Sequence, residues 1–209
     1  MKAIKLLTLF LVLSCRVAAQ PSAAQAALLA ELNLARTSPA AYALILEDYL
    51  LLLRNNTEII PAVSSWSLIE GKPAVLEAIA FLRKQKPLLP LTFSPSLSFV
   101  TDAFLAEQAA AGTTGHVSLD GSTFDRRISA FGTWTSLCGE ALAYGPVTAR
   151  LVVIAFIVDD NIPDRGHRTT LFTPAYRVVG ITIGAYPVYG TASFLNFAGG
   201  YTPHKLVKK

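Results

Sequence analysis

Helix-forming patterns fill most of this chain, and strand patterns gather near its end. In the first part, apolar residues recur every three or four positions, which is the spacing of amphipathic helices. Helices are predicted at 25–36, 39–53, 73–86, 95–111, 122–130 and 148–158, and strands at 137–144, 177–185 and 192–198. Pro187 and Gly190 lie between the last two strands and favour an antiparallel hairpin. This order predicts an α+β layered domain and argues against a repeating βαβ sheet.

Two Ser-Pro pairs mark helix starts. Ser38-Pro39 and Ser94-Pro95 each place a capping hydroxyl before a proline that fits the first helical turn. The stretch 56–71 shows no regular pattern and is predicted to be a loop. No repeat or low-complexity linker divides the chain, so residues 20–209 are predicted to form one domain with its core at about 25–201.

Residues 1–19 have the layout of a secretory signal peptide. Lys2 and Lys5 precede a short apolar run, and Ala18-Ala19 supplies the small residues of a cleavage site. The apolar run is too short to span a bilayer comfortably. We therefore expect a secreted or periplasmic protein. Lipid attachment at Cys15 is the alternative, because Val-Leu-Ser-Cys loosely resembles a bacterial lipobox.

Loss of such a peptide would make the chain nearly neutral. Three of the 18 basic residues, Lys2, Lys5 and Arg16, lie in it, which leaves 15 basic against 14 acidic residues. Nucleic acid is therefore not an expected partner, because phosphate binding requires clustered Lys and Arg. No later segment has the pattern of a transmembrane helix. Cys138 would be the sole remaining cysteine, and its apolar neighbours favour a core position over a nucleophilic role.

Two of the three histidines directly follow a glycine, in Gly115-His116 and Gly166-His167. Glu140 and Asp159 lie between them in the chain. Two imidazoles and two carboxylates from separate segments suit zinc or another divalent metal, or acid–base chemistry. Arg168 can pair with a carboxylate and fix the His167 loop. No local zinc signature such as His-Glu-x-x-His occurs, so spacing alone favours loop histidines that hydrogen-bond to backbone.

Six short motifs follow one another along the chain. They are Glu31-Leu-Asn33-Leu-Ala-Arg36, Gly115-His116, Gly139-Glu140-Ala-Leu-Ala, Phe156-Ile-Val-Asp159, Gly166-His167-Arg168-Thr-Thr-Leu-Phe and Tyr176-Arg-Val-Val-Gly-Ile. Their order and spacing resemble the CAP superfamily of cysteine-rich secretory proteins, antigen five and pathogenesis-related class-one proteins, in its bacterial, SCP-like form. Each motif alone is weak. Together they extend the resemblance over about residues 25–201.

The resemblance implies a fold and a site. The fold is an α-β-α sandwich with a small antiparallel sheet between helical layers and a central cleft. In the family, two histidines and two acids line this cleft and often hold a divalent metal. Carried over by motif, these metal-site residues are His116, Glu140, Asp159 and His167.

The chain departs from the family pattern at several positions. Asp159 is shorter than the usual Glu, so Asp160 or Asp164 could take its place. Ala141 replaces the Asn of the family's Gly-Glu-Asn strand, and Phe156 replaces its Trp. The disulfides of eukaryotic members are absent.

Three functions are compatible with the resemblance. The first is a secreted binding domain whose metal-containing cleft recognises a ligand such as a peptide, a lipid or an envelope component. The second is a metal-dependent, peptidase-like hydrolase in which Glu140 or Asp159 serves as the acid or base. The third is a lipid or sterol carrier. Binding ranks above hydrolysis because the sequence contains no recognisable nucleophile motif; if the chain is an enzyme, it is expected to be a metal-dependent hydrolase.

Overall fold

The computed structural model describes residues 20–54, 57–58 and 68–204. The predicted signal peptide, Cys15 and most of the predicted 56–71 loop lie outside these residues. The helices are α1 Ala23–Thr37, α2 Pro39–Leu52, α3 Lys72–Lys84, α4 Pro95–Ala111, α5 Phe124–Phe131, α6 Ala149–Val158 and α7 Gly166–Leu171. The strands are β1 Leu53–Arg54, β2 Thr57–Glu58, β3 Thr92–Phe93, β4 Gly132–Tyr144, β5 Val178–Tyr186 and β6 Gly190–Pro203.

Helix starts follow the capping chemistry of the sequence. The Ser22 hydroxyl accepts a hydrogen bond from the Gln25 amide, and the Gln25 side chain accepts one from the Ser22 amide, which forms a capping box for α1. The Ser94 hydroxyl caps α4 as predicted. Ser38 occupies the N-cap position of α2 without a side-chain cap bond, so Pro39 alone provides the start signal there.

The principal sheet has the strand order β3-β5-β6-β4. The predicted hairpin is confirmed, since β5 and β6 pair antiparallel and turn at Gly190, whose φ is +76°. The β4 strand pairs antiparallel with β6, whereas the short β3 pairs parallel with β5. The sheet is therefore mixed, where a purely antiparallel sheet was expected. A two-residue strand carries no alternation by which the sequence could have revealed it.

The two faces of the sheet support two separate helical layers. On one face, Val179, Ile181, Leu195 and Phe197 join the main core with buried residues of α1, α2, α3 and α6. On the opposite face, residues such as Phe194 pack against α4 and α5. Alternate strand residues point to opposite faces, so each buried strand serves both cores. This arrangement confirms the α-β-α sandwich.

Close packing of α4 on the sheet depends on Gly180. A Cβ atom added there would lie 2.3 Å from the Leu97 carbonyl carbon, which belongs to the helix backbone. No side chain can occupy this contact without moving the helix. Tight packing thereby fixes the first turn of α4 against the sheet.

Strand β4 forms one edge of the sheet, where connections from both helical layers converge. Within the described part of the chain, none of the helices combines the length and apolar character needed to cross a membrane.

Candidate functional site

The two histidines are delivered from opposite helical layers. Helix α4 ends at Gly112 in the left-handed conformation, and the chain reaches His116 through Gly115, whose φ is +101°. Helix α6 ends at Asp159, also left-handed with φ +53°. The segment around His167 was predicted to be a loop. That prediction is wrong, because Gly166–Leu171 forms the short helix α7.

His116 and Glu140 form a hydrogen-bonded pair. The ring Nδ1 lies 2.8 Å from Glu140 Oε1, and an ionised carboxylate can only accept, so Nδ1–H donates. The Glu140 side chain on β4 is 2% exposed, whereas the His116 side chain is 50% exposed. A buried acid therefore orients an accessible imidazole.

His167 and Asp159 form a second pair of the same kind. His167 Nδ1 donates to Asp159 Oδ1 at 2.6 Å, and the His167 main-chain N–H donates to Asp159 Oδ2 at 2.8 Å. The amide of Arg168 adds a third, longer bond to the same Oδ2 at 3.3 Å. Asp159 is 2% exposed and His167 is 21% exposed. This carboxylate fixes both the ring and the backbone of its histidine.

The two imidazole rings are close neighbours. Their ring centres lie 6.3 Å apart. No hydrogen-bond partner for either Nε2 is found among the described residues. Zinc–nitrogen bonds are about 2.0–2.1 Å long, so two imidazoles bound to one tetrahedral ion have ring centres roughly 5 Å apart. The 6.3 Å separation of His116 and His167 is larger, so the two rings would have to approach each other by about 1 Å to share an ion.

The carboxylates do not complete a larger ligand cluster. In residues 20–54, 57–58 and 68–204, no group of three or more His, Cys, Asp or Glu side chains could hold a metal ion together. Glu140 and Asp159 instead contact the Nδ1 atoms. Carboxylates hydrogen-bonded to the far nitrogen of a metal-binding imidazole are a common outer shell that sets the tautomer.

The neighbouring acids have other partners. Asp160 accepts main-chain hydrogen bonds from Ile69, Glu70 and Gly71, and so holds the segment before α3. Asp164 makes no hydrogen bond to either histidine in the described structure. Of the three acids that the sequence left open, Asp159 is the one that contacts an imidazole.

Two arginines support these pairs, and only one was anticipated. Arg168 donates to both oxygens of Glu77 at 2.6 and 2.7 Å, as well as to Ile157 and Val158 carbonyls. These hydrogen bonds lower the pKa of Glu77. The predicted carboxylate pairing of Arg168 is thus confirmed.

Arg127 was missed by sequence reasoning. Its guanidinium lies 2.6 Å from Glu140 Oε2 and also donates to the His116 carbonyl oxygen at 3.0 Å. In the sequence it follows Arg126 on a short polar helix, which resembles a solvated pair of charges. Only the helix period, which places Arg127 on the same face as the half-buried Phe124 three positions before it, hints that it points inward.

A cavity of about 270 Å³ opens beside His167. About half of its lining is apolar and includes Leu142, Tyr144, Phe156 and Ile162. Asp159, Asp160 and Asn161 contribute to the polar half, and no Lys or Arg of the described residues lines it. The cavity therefore offers apolar contact directly next to one of the two imidazoles.

Cys138 does not take part in this chemistry. The thiol is partly buried and packs beside a small cluster of buried residues that includes Leu97 and Ile128. Burial raises its pKa to about 11, so the nucleophilic thiolate is scarce at neutral pH. The structure thus agrees with the packing role predicted for it.

A three-layer α-β-α domain with paired histidines and acids at the sheet edge has the architecture of the CAP/SCP class. The sequence profile of the CAP family, the cysteine-rich secretory protein family, matches residues 76–195. This range is more than half of the chain and includes His116, Glu140, Asp159 and His167. The chain belongs to this family.

Solved bacterial structures are similar at low sequence identity. An outer surface protein from Borrelia burgdorferi is 22% identical with a TM-score of 0.45, over 53% of this chain and 78% of that one. An extracellular protein containing an SCP domain from Bacillus anthracis is 16% identical with a TM-score of 0.42, over 60% and 37%. A cysteine-rich secretory protein from Staphylococcus aureus is 12% identical with a TM-score of 0.41, over 67% and 43%. The matches span less than half the length of the last two chains. No curated protein matches this chain in sequence.

Proposed function

We propose that this protein is an exported CAP domain that binds a divalent transition-metal ion through His116 and His167 and presents it to a ligand in the cleft. The observation that carries the proposal is the pair of histidines 6.3 Å apart, each with Nδ1 bonded to a buried carboxylate. Export is supported by the signal-like residues 1–19 of the sequence.

The donor set suits zinc or copper better than magnesium or calcium. Neutral imidazole nitrogen is a ligand of choice for zinc and copper, whereas magnesium and calcium prefer oxygen. Each Nδ1–H that donates to a carboxylate leaves the lone pair of the ring on Nε2. We therefore assign direct ligation to His116 and His167 and an orienting role to Glu140 and Asp159. A bound ion would supply Lewis acidity to a ligand in the cleft.

The carboxylates favour binding over hydrolysis. A hydrolase needs a base within reach of the proton it removes. Both oxygens of Glu140 already accept hydrogen bonds, from His116 and Arg127, and both oxygens of Asp159 accept bonds from the His167 segment. Each acid is 2% exposed, so neither presents a free oxygen to the cleft. Orientation of the imidazoles accounts for these acids without a catalytic role.

The adjoining cavity indicates what kind of group a ligand would place there. Its volume of about 270 Å³ is smaller than the roughly 300–1,000 Å³ of pockets that enclose a whole drug-sized ligand. Apolar and polar surface line it in nearly equal parts, and no Lys or Arg lines it among the described residues. A small uncharged group with both apolar and polar contacts, attached to a metal-coordinating group, fits this space better than a sterol or a long acyl chain.

Metal titration with histidine variants tests the proposal. The chain has three histidines, so His204→Ala is a matched control that removes an exposed imidazole away from the cleft. We expect zinc to bind the wild type and the His204 variant with equal affinity, and the His116→Ala, His167→Ala double variant to lose the site. Equal zinc uptake by all three proteins would refute the proposed metal site.

A second experiment separates binding from hydrolysis. Two protein nitrogens leave coordination positions open, so added imidazole should change the visible spectrum of the cobalt-loaded protein. Cleavage of a peptide library that disappears in Glu140→Gln, with metal binding retained, would replace the binding function with a hydrolytic one.

A further inference from the structure

We propose that Arg127 is a positioning residue for His116, which holds the imidazole in place by gripping both its backbone and its carboxylate partner. This inference rests on the proposed metal site and adds a residue from outside the four residues of the cleft. Arg127 lies on α5 and is buried. Arg127 contacts neither His167 nor Asp159, the two residues of the second pair.

The guanidinium of Arg127 makes all the contacts on which this proposal depends. Nη2 donates to Glu140 Oε2 at 2.6 Å, and Nη1 donates to the carbonyl oxygens of His116 at 3.0 Å and Ser122 at 3.1 Å. Nη1 also lies 3.3 Å from the Ser118 hydroxyl. The planar fork of arginine can serve these acceptors at fixed mutual angles, whereas an ammonium group acts as a single point charge.

A comparison of the two histidine pairs explains why a guanidinium contacts the carboxylate of only one of them. Asp159 is eight positions from His167 and bonds both its ring and its main-chain N–H. Glu140 lies on a strand, 24 positions from His116, and bonds only its ring. The main chain of His116 is tied to Glu140 indirectly, through Arg127. Arg127 therefore supplies the link that Asp159 provides by itself in the other pair.

The local energetics also indicate a constrained guanidinium. It stacks 3.5 Å from the centre of the Phe104 ring, and its Nε is buried without a hydrogen-bond partner in the described structure. A buried donor without a partner is unfavourable. The hydrogen bonds of the two Nη atoms and the stacking on the Phe104 ring therefore determine where this side chain lies. Arg127 also neutralises Glu140, a buried carboxylate that would otherwise lack a permanently charged partner.

The test uses Arg127→Lys, with Arg126→Lys as the matched control. Lysine keeps a positive charge beside Glu140 but cannot reproduce the fork to the His116 and Ser122 carbonyls. The exposed Arg126 is the preceding residue on the same helix. The first readout is the imidazole tautomer in the metal-free protein, measured by nitrogen NMR, where three histidines give three resolvable rings. The second is zinc affinity.

We expect Arg127→Lys to change His116 from the Nδ1–H tautomer to an average of both tautomers, with His167 unchanged. Zinc affinity should fall about 10-fold, the lower end of the effect of losing an outer-shell partner. If Arg127→Lys does not fold, the double variant Arg127→Met, Glu140→Gln removes both buried charges and is compared with Glu140→Gln alone. The double variant should bind zinc more weakly than Glu140→Gln, and equal affinities would overturn the inference.

The inference would be overturned if Arg127→Lys kept both the wild-type tautomer of His116 and the wild-type zinc affinity. It would also be overturned if Arg126→Lys changed the tautomer and the affinity as much as Arg127→Lys does. A wild-type protein that binds no zinc would refute the proposed metal site instead. In that event the tautomer of His116 in the metal-free variants still decides the role of Arg127.

Discussion

Replacement of Asp159 by Asn should change which nitrogen of His167 carries the proton. The two main-chain N–H groups that Asp159 accepts both point to Oδ2, and the imidazole points to Oδ1. An asparagine can keep its oxygen at the Oδ2 position, which places its amide NH₂ against Nδ1. Two donors cannot face each other, so the ring must accept at Nδ1 and carry its proton on Nε2. In that tautomer Nε2 has no lone pair for a metal.

The expected loss follows from this geometry. Substituting an outer-shell partner of a metal-ligating histidine typically weakens metal binding by about 10–100-fold, which corresponds to about 1.4–2.7 kcal/mol. Two of the three hydrogen bonds to Asp159 survive in Asn, so the fold should be retained. The loss should therefore appear in metal affinity and in the tautomer, with little change in the amide NMR spectrum.

The control is Asp160→Asn, which has the same chemical change at the next position. Asp160 bonds only main-chain amides of residues 69–71 and contacts no imidazole. Nitrogen NMR of the metal-free proteins and zinc calorimetry should show a change in Asp159→Asn and none in Asp160→Asn. A His167 ring that keeps the Nδ1–H tautomer in Asp159→Asn, with wild-type zinc affinity, would refute the reasoning.

Three further predictions concern residues away from the proposed metal site. Gly180→Ala forces a Cβ to within 2.3 Å of the Leu97 backbone and should destabilise the fold by about 1–3 kcal/mol in urea unfolding; an unchanged midpoint would contradict the close packing of α4. Hydrogen bonds from Arg165 lower the pKa of Glu70 from 4.5 to about 2. Because the folded-state pKa is the lower one, this pair stabilises the fold above pH 4.5, and its contribution is lost as the pH falls towards 2. Glu70→Gln should abolish that part of the acid sensitivity in melting temperature, and an identical acid profile would refute the assignment. Finally, the Cys138 pKa of about 11, against 9.0 for an unperturbed thiol, predicts alkylation at neutral pH about 100-fold slower than for a free cysteine; a rate equal to that of free cysteine would show that the thiol is not held as described.

Much of the fold follows from local patterns. Capping residues and apolar spacing are properties of short windows, so the ends of α1 and α4 agree with the sequence within a few residues. Short elements are harder, because β3 and α7 contain too few residues to show a period. They exist through contacts with distant parts of the chain, namely β5 for β3 and the Asp159 carboxylate for the first turn of α7.

By itself, the sequence determined the layered α+β class and singled out His116, Glu140, Asp159 and His167. Both rest on features that the chain carries locally, namely its periodicities and its short motifs. Only the tertiary structure decided which acid serves which imidazole and brought Arg127 and Glu77 into the supporting network. Those pairings join residues from 8 to 91 positions apart. Hydrogen bonds and ion pairs act only at contact distance, so such partners are set by how the helical layers meet at the edge of the sheet.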